Sequence, residues 1–183
     1  MSNKIEGIAV PILTPINEVE EINHEQLAAL TDYVAEGGVN AIFVNGTTGE
    51  FARFSQKSRQ ELVSTVAKAA KGRVAVLAGV SECGTRLVIE NIKRAEEAGA
   101  DAIVTTMPYY FPTTSIREQI EFTEDVTAST KLPVLLYNIP PVTGYSLNEE
   151  LLDHVCDIDN LYGIKDSSGK AENFLKLKER YGE

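Results

Sequence analysis

Cysteine, histidine and long apolar runs are all scarce in this chain of 183 residues, which holds only Cys83, Cys156, His24 and His154 of the first two kinds. Two cysteines far apart, in different kinds of segment, make no disulfide framework, and reduced thiols in a cytoplasmic protein are expected. With two histidines and no paired cysteines there is no zinc-type ligand set, so no metal is expected. The longest apolar stretches are strand-sized, far short of the roughly 20 residues that span a bilayer. The segment Met1–Gly7 lacks the apolar run of a secretory signal. Positive charge is also short: 17 Lys and Arg face 27 Asp and Glu, for a formal net charge of −10 and a pI near 4.8. That balance disfavours nucleic acid and anionic membranes as partners. No block of like charges stands out, so the acidic excess reads as solubility.

What is present is an ordinary globular composition, 43% hydrophobic and 24% charged, in a chain whose length fits one domain, 1–183, better than two. Short, nearly continuous Val/Ile/Leu/Ala runs predict strands at Ile5–Leu13, Ala41–Asn45, Val74–Val80, Ala102–Met107, Val134–Asn138 and Tyr162–Lys165. Such runs suit a parallel sheet covered by helices on both faces. Helices are predicted near His24–Glu36, Gln56–Ala70, Thr85–Ala98, Ser115–Ser129, Leu147–Val155 and Glu172–Arg180. Asn23 with Gln26, Ser55 with Ser58, and Ser146 with Glu149 are the expected caps. An internal echo agrees: Glu36-Gly37-Gly38-Val39-Asn40-Ala41-Ile42 resembles Glu97-Ala98-Gly99-Ala100-Asp101-Ala102-Ile103. Each reads as a helix end, a glycine stop and a strand entry. The two copies lie two strand–helix units apart, giving a period of about 30 residues, the size of a βα unit.

Six consecutive βα units suit either a barrel or an open doubly wound sheet. Polar and reactive groups cluster after the strands: Gly46-Thr47-Thr48-Gly49-Glu50, Pro108-Tyr109-Tyr110, Tyr137-Asn138 and Lys165-Asp166. Sites drawn from the C-terminal ends of several parallel strands mark barrel enzymes, whereas an open sheet concentrates its site at one switch point. The barrel is the favoured architecture.

Lys165 closes the apolar run Leu161-Tyr162-Gly163-Ile164. Desolvation at such a place favours the neutral amine, a nucleophile able to form a Schiff base with a carbonyl substrate. The plainer alternative packs its stem on apolar surface and pairs its head with Asp166 or water. Tyr137 offers a phenol for proton transfer, or simply a core ring with its hydroxyl at the rim. In the 46–50 loop, two glycines permit a tight turn whose N–H groups and threonine hydroxyls suit a carboxylate; the alternative is an ordinary connection of turn formers. No Gly-Lys-Ser/Thr follows, so this is no Walker loop. Tyr109 and Tyr110, between Pro108 and Pro112, fit an aromatic packing patch as well, and Ser167-Ser168-Gly169-Lys170 reads as a polar turn opening the last helix. Taken together, one amine, phenols and an anion-holding loop suit a 2-oxo acid whose ketone is converted to an imine.

These motifs, with Tyr137-Asn138-Ile139-Pro140, Thr143-Gly144 and Gly163-Ile164-Lys165-Asp166-Ser167-Ser168-Gly169, strongly resemble the dihydrodipicolinate synthase / N-acetylneuraminate lyase family of pyruvate-handling class I aldolases. The resemblance runs from about Ile5 to the end. It implies a lyase of TIM (β/α)8-barrel fold, assembled as a homodimer or homotetramer, without a cofactor beyond the covalent imine. Lys165 would carry the Schiff base with pyruvate and Tyr137 the proton relay. Gly46, Thr47 and Thr48 would bind the pyruvate carboxylate, with the Thr47 hydroxyl linked into the relay. Tyr110 matches a tyrosine often given across the dimer interface. The synthase branch has an arginine before Thr-Gly for the second substrate's carboxylate, but Val142 stands there, and valine donates no hydrogen bond. Thr113 is likewise not the arginine of some aldolases for phosphorylated sugar acids. The expectation therefore leans to a 2-keto-3-deoxy sugar acid aldolase, with 4-hydroxy-tetrahydrodipicolinate synthase or N-acetylneuraminate lyase as alternatives.

The family barrel has eight βα units and a helical C-terminal region. Six units end here at Glu183, so a partial, C-terminally truncated barrel is expected. A non-catalytic fragment or assembly module, and an open sheet binding a small carboxylate, are the competing readings.

Overall fold

A computed structural model of the chain describes residues 5–111 and 115–182; the expectation attached to Thr113, beside Pro112, lies outside the described residues. The chain divides into two compact units, Met1–Val80 with Asn91–Ile103, and Ser81–Glu90 with Val104–Glu183.

The first unit holds β1 (Ala9–Pro11), α1 (His24–Glu36), β2 (Ala41–Val44), a 3-10 turn at Phe51–Arg53, α2 (Gln56–Ala70) and β3 (Ala75–Gly79). It also takes the second half of α3 (Thr85–Glu97) and the start of β4 (Ala102–Thr105). Its strands run in chain order; Ala9 lies opposite Ala41 and Ala41 opposite Ala75 in parallel register. Parallel neighbours need a crossover, and the intervening helices supply it. Every residue of β2 is buried, and Leu27 of α1, Leu62 and Val66 of α2 and Ile92 of α3 have no exposed surface. Each such side chain contributes about 1.5–3 kcal/mol over leaving it in water.

The second unit contains the end of β4, then α4 (Ile116–Ala128), β5 (Val134–Asn138), α5 (Pro140–Thr143), α6 (Glu149–Val155), β6 (Leu161–Asp166) and α7 (Ala171–Tyr181). β5 and β6 are parallel, with Tyr137 opposite Lys165 and Asn138 opposite Asp166. The register shifts between Val134 and Leu135, which face Leu161 and Gly163, so Tyr162 is the bulged residue. Phe122, Val126, Leu136, Leu151 and Val155 form the core of this unit.

The alternation of strand and helix follows the predicted pattern, with corrections at the edges. The first strand is three residues, not the nine of Ile5–Leu13. Its bonding to β2 ends with Ile12 N donating to Phe43 O at 3.0 Å, and the chain then turns back through an antiparallel bridge between Ile16 and Ile22. Asn23 and Ser55 cap α1 and α2 as expected, accepting from the backbone N–H of Gln26 and Ser58. The cap of α6 is Asn148, which accepts from Leu151 N, rather than Ser146.

The sequence echo has a physical basis. Gly38 and Gly99 both take positive φ, 80° and 95°, a turn that suits glycine. The residue before each following strand then reaches back one strand: Asn40 Oδ1 accepts from Ile8 N at 2.9 Å, and Asp101 Oδ2 from Val76 N at 2.8 Å. Among the described residues no helix is long and apolar enough to cross a membrane.

Candidate active site

The ends of β5 and β6 bring the phenol and the amine together. Residues opposite each other on parallel strands present their side chains to the same face, and Tyr137 is opposite Lys165. Lys165 Nζ sits 3.5 Å from the centroid of the Tyr137 ring, a cation–π distance. Ser167 Oγ completes the group: it accepts from Lys165 Nζ at 3.3 Å and donates to the Tyr137 hydroxyl at 3.3 Å. Tyr137 is buried and Lys165 half-buried. In the sequence Ser167 stands only as part of a polar turn. Its signal was a hydroxyl two positions after the lysine, the first place past the strand where a short side chain can turn back.

Asp166 points the other way, because successive strand residues alternate faces. Its carboxylate accepts from Asn138 Nδ2 at 2.6 Å and from Ser168 Oγ at 2.8 Å. Asn138 Oδ1 in turn accepts from Leu147 N at 3.0 Å, and Asn138 O from Ser167 N at 2.8 Å. The bonding thus runs from the α6 approach through β5 into the loop after β6, and fixes the strand carrying Lys165 from its back. The partner Asp166, one of the alternatives for the lysine head, is occupied elsewhere.

Residues 140–143, just past β5, form α5, a short helix that is not among the predicted ones. Pro140 sits at its first position, where a missing N–H costs nothing. Thr143 is buried, and its Oγ1 donates within the segment, to Ile139 O and Tyr145 O. Burial pushes the Tyr145 phenol well above its ordinary range. Tyr145 is therefore a neutral hydroxyl at any physiological pH. Val142 is 53% exposed on α5.

The 46–50 loop lies in the other unit, at the C-terminal end of β2. Thr47 and Thr48 are both exposed, while Gly46 and Gly49 are buried. The glycines are there for space: a Cβ on Gly46 would stand 2.5 Å from the Phe43 ring, and one on Gly49 would stand 3.1 Å from Ile12 O. The left-handed positions are instead Asn45 (φ 58°) and Glu50 (φ 52°). Fewer backbone donors are available to a carboxylate than the sequence suggested. Gly49 N donates to Gly46 O at 3.1 Å and Glu50 N to Thr47 O at 3.0 Å, closing the turn on itself. Thr14 Oγ1 holds the loop by donating to Gly49 O at 2.8 Å, and Arg53 pairs with Glu50 at 2.9 Å.

Tyr110 is 73% exposed and stacks edge-on against Phe111 at 4.9 Å between ring centroids. The amine–phenol–hydroxyl group of the second unit is built without it.

Comparison with known proteins adds a family. Residues 4–183 match the family model described as the dihydrodipicolinate synthetase family. A 4-hydroxy-tetrahydrodipicolinate synthase 1 of Halalkalibacterium halodurans is 34% identical over 94% of this chain and 58% of its own. A 4-hydroxy-tetrahydrodipicolinate synthase of Staphylococcus carnosus is 34% identical over 98% of this chain and 60% of its own. Among solved structures, YagE of E. coli, a prophage protein of the dihydrodipicolinic acid synthase family in complex with pyruvate, aligns with a TM-score of 0.93 at 31% identity. That alignment covers 97% of this chain and 60% of YagE. The chain thus spans about 60% of the length of the curated relatives it matches. Its fold class is that of these TIM-barrel-like proteins, with six of the βα units present.

Proposed function

We propose, from the premise that this chain belongs to the dihydrodipicolinate synthetase family, that it is a Schiff-base lyase joining or cleaving a carbon–carbon bond to pyruvate. The observation that carries the reading is Lys165 Nζ lying 3.5 Å over the Tyr137 ring, with Ser167 Oγ bridging amine and phenol. In this reading the amine attacks the ketone carbon of pyruvate. The carbinolamine formed loses water as protons pass through Ser167 and Tyr137, leaving a cationic imine on Lys165. The imine withdraws electrons, the methyl group gives up a proton, and the resulting enamine attacks an aldehyde; cleavage is the reverse. No metal or other cofactor takes part in these steps. Thr47 and Thr48, exposed at the end of β2, are the proposed hydroxyl donors for the pyruvate carboxylate, and Gly46 gives the loop its close turn. Tyr110 is proposed as the phenol given to a neighbouring copy in a homodimer or homotetramer, consistent with its exposure beside Phe111. A cytoplasmic setting fits the two exposed free cysteines.

The relatives' names favour 4-hydroxy-tetrahydrodipicolinate synthase over the sugar-acid aldolase toward which the sequence reading leaned. Aspartate semialdehyde is accordingly the first aldehyde to test. Val142, exposed and apolar at the position where the resemblance implies an arginine for the synthase branch, keeps a 2-keto-3-deoxy sugar acid as the second. Borohydride reduction with pyruvate should add one trapped adduct at Lys165, and none in Lys165→Ala. An unmodified Lys165 peptide from folded protein would defeat the reading. Condensation with aspartate semialdehyde, set against cleavage of 2-keto-3-deoxygluconate, then separates the two substrates.

A further inference from the structure

The residue at the entry to the 46–50 loop has an unusual set of constraints. Asn45 follows β2 directly, adopts a left-handed backbone with φ 58°, and is only 4% exposed. Left-handed geometry is costly for most side chains and least so for glycine and asparagine. Its amide nitrogen donates to Arg59 O of α2 at 3.0 Å. A carbonyl can only accept, so this bond fixes which end of the amide is nitrogen. The Asn45 carbonyl leaves no room at the end of β3, where a Cβ on Gly79 would stand 2.1 Å away. Asn45 is thus held by α2 and fitted against β3 at the point where the loop begins.

One atom of Asn45 remains. Oδ1 is buried without a hydrogen-bond partner among the described residues, and so is Nε of Arg94 on α3. Both residues line one pocket, together with Arg59, Asn91, Gln60 and Gly79. A buried acceptor and a buried donor each cost free energy when left alone. The pocket's volume of about 10 Å³ is close to that needed for a single water and far too small for an organic ligand. An anion would accept from Arg94 but meet the lone pairs of Asn45 Oδ1. A water satisfies both, accepting from Arg94 Nε and donating to Asn45 Oδ1.

We propose that Asn45 is a positioning residue for the Thr47–Thr48 loop, tied to α2 directly and to α3 by one buried water held between Asn45 Oδ1 and Arg94 Nε. The role in pyruvate binding rests on the function proposed above; the water does not. Asn45→Gly keeps the left-handed backbone but removes both tethers. The pyruvate concentration giving half-maximal borohydride trapping should rise roughly three- to ten-fold in Asn45→Gly, the loss of one or two hydrogen bonds. Maximal trapping at saturating pyruvate should stay unchanged. A fall in maximal trapping in step with the melting temperature, at unchanged half-saturation, would mean that Asn45 is only structural and would overturn the positioning role. A crystal structure of the wild type at high resolution should place one water within hydrogen-bond distance of both atoms; a dry pocket, or Arg94 turned away, would overturn the tether. If no adduct forms in the wild type, the proposed function fails, while the water is still decided by the crystal structure.

Discussion

β2 and β6 are both parallel strands of mostly apolar residues, yet all of β2 is buried and no residue of β6 is fully so. The difference lies in what covers them. β2 has a paired strand on either side and the apolar faces of α1 and α2 over it, whereas Tyr162 of β6 is 43% exposed at its bulge. α7, which follows β6, buries no residue; Phe174 and Leu175 are 51% and 61% exposed. Burial therefore holds the loop-bearing strand, while hydrogen bonds do more of the work around the lysine-bearing one. The Asn138–Asp166–Ser168 network takes the place that side-chain packing has in β2.

That contrast can be broken most forcefully in β2. Ile42→Ala deletes a fully buried side chain and should destabilise the chain by about 2–5 kcal/mol, whereas Ile164→Ala on half-buried β6 should cost about 1 kcal/mol. Equal losses in urea unfolding would refute the distinction. Asp166→Ala should come next, at about 1.5–3 kcal/mol for hydrogen bonds to a charged group, and should also slow borohydride trapping at Lys165 by loosening its strand. A variant with wild-type trapping would show that the back of β6 does not set the amine.

A smaller effect concerns alkaline pH. The Tyr145 phenol is raised above its ordinary value mainly by burial. Below the ordinary tyrosine range both folded and unfolded chains hold the proton, and its contribution is constant. As pH rises past about 10 the unfolded chain's phenol ionises while the buried one does not. Stability should fall from there upward, with Tyr145→Phe removing part of the slope; an identical slope in the variant would exclude Tyr145 as its source. The smallest expected change is at Arg86, whose side chain is 90% exposed and pairs with Glu90 at 3.2 Å. Arg86→Ala should alter stability by no more than about 0.5 kcal/mol, and a larger loss would require a contact beyond that pair.

The apolar periodicity made the strands and helices legible, because a covered parallel strand must be apolar throughout; Val134–Asn138 was delimited without error. Caps were legible where the capping side chain adjoins its helix, as at Asn23 and Ser55. Ser146 misled because Asn148, two residues on, is as good an acceptor and lies nearer the first turn. In the site, Lys165 and Tyr137 could be named from their places at strand ends, and cross-strand register puts them together. Ser167 could not be singled out, since its part depends on a loop folding back onto the preceding strand. Nor could the use of Gly49 and Glu50 N–H groups within their own turn, which backbone geometry decides.

The side chains that reach back one strand also bear on how the chain assembles. Asn40 to Ile8 and Asp101 to Val76 span 32 and 25 residues, and Asn160, just before β6, donates to Thr127 O and Thr130 O at the end of α4 over 33 and 30. Each of these latches closes a loop of about one strand–helix unit. Loop-closure entropy grows only slowly at that length, and contacts of short sequence separation form quickly. Folding can therefore advance stepwise, β2 and β4 each being clicked to the strand before it as soon as the intervening helix is complete.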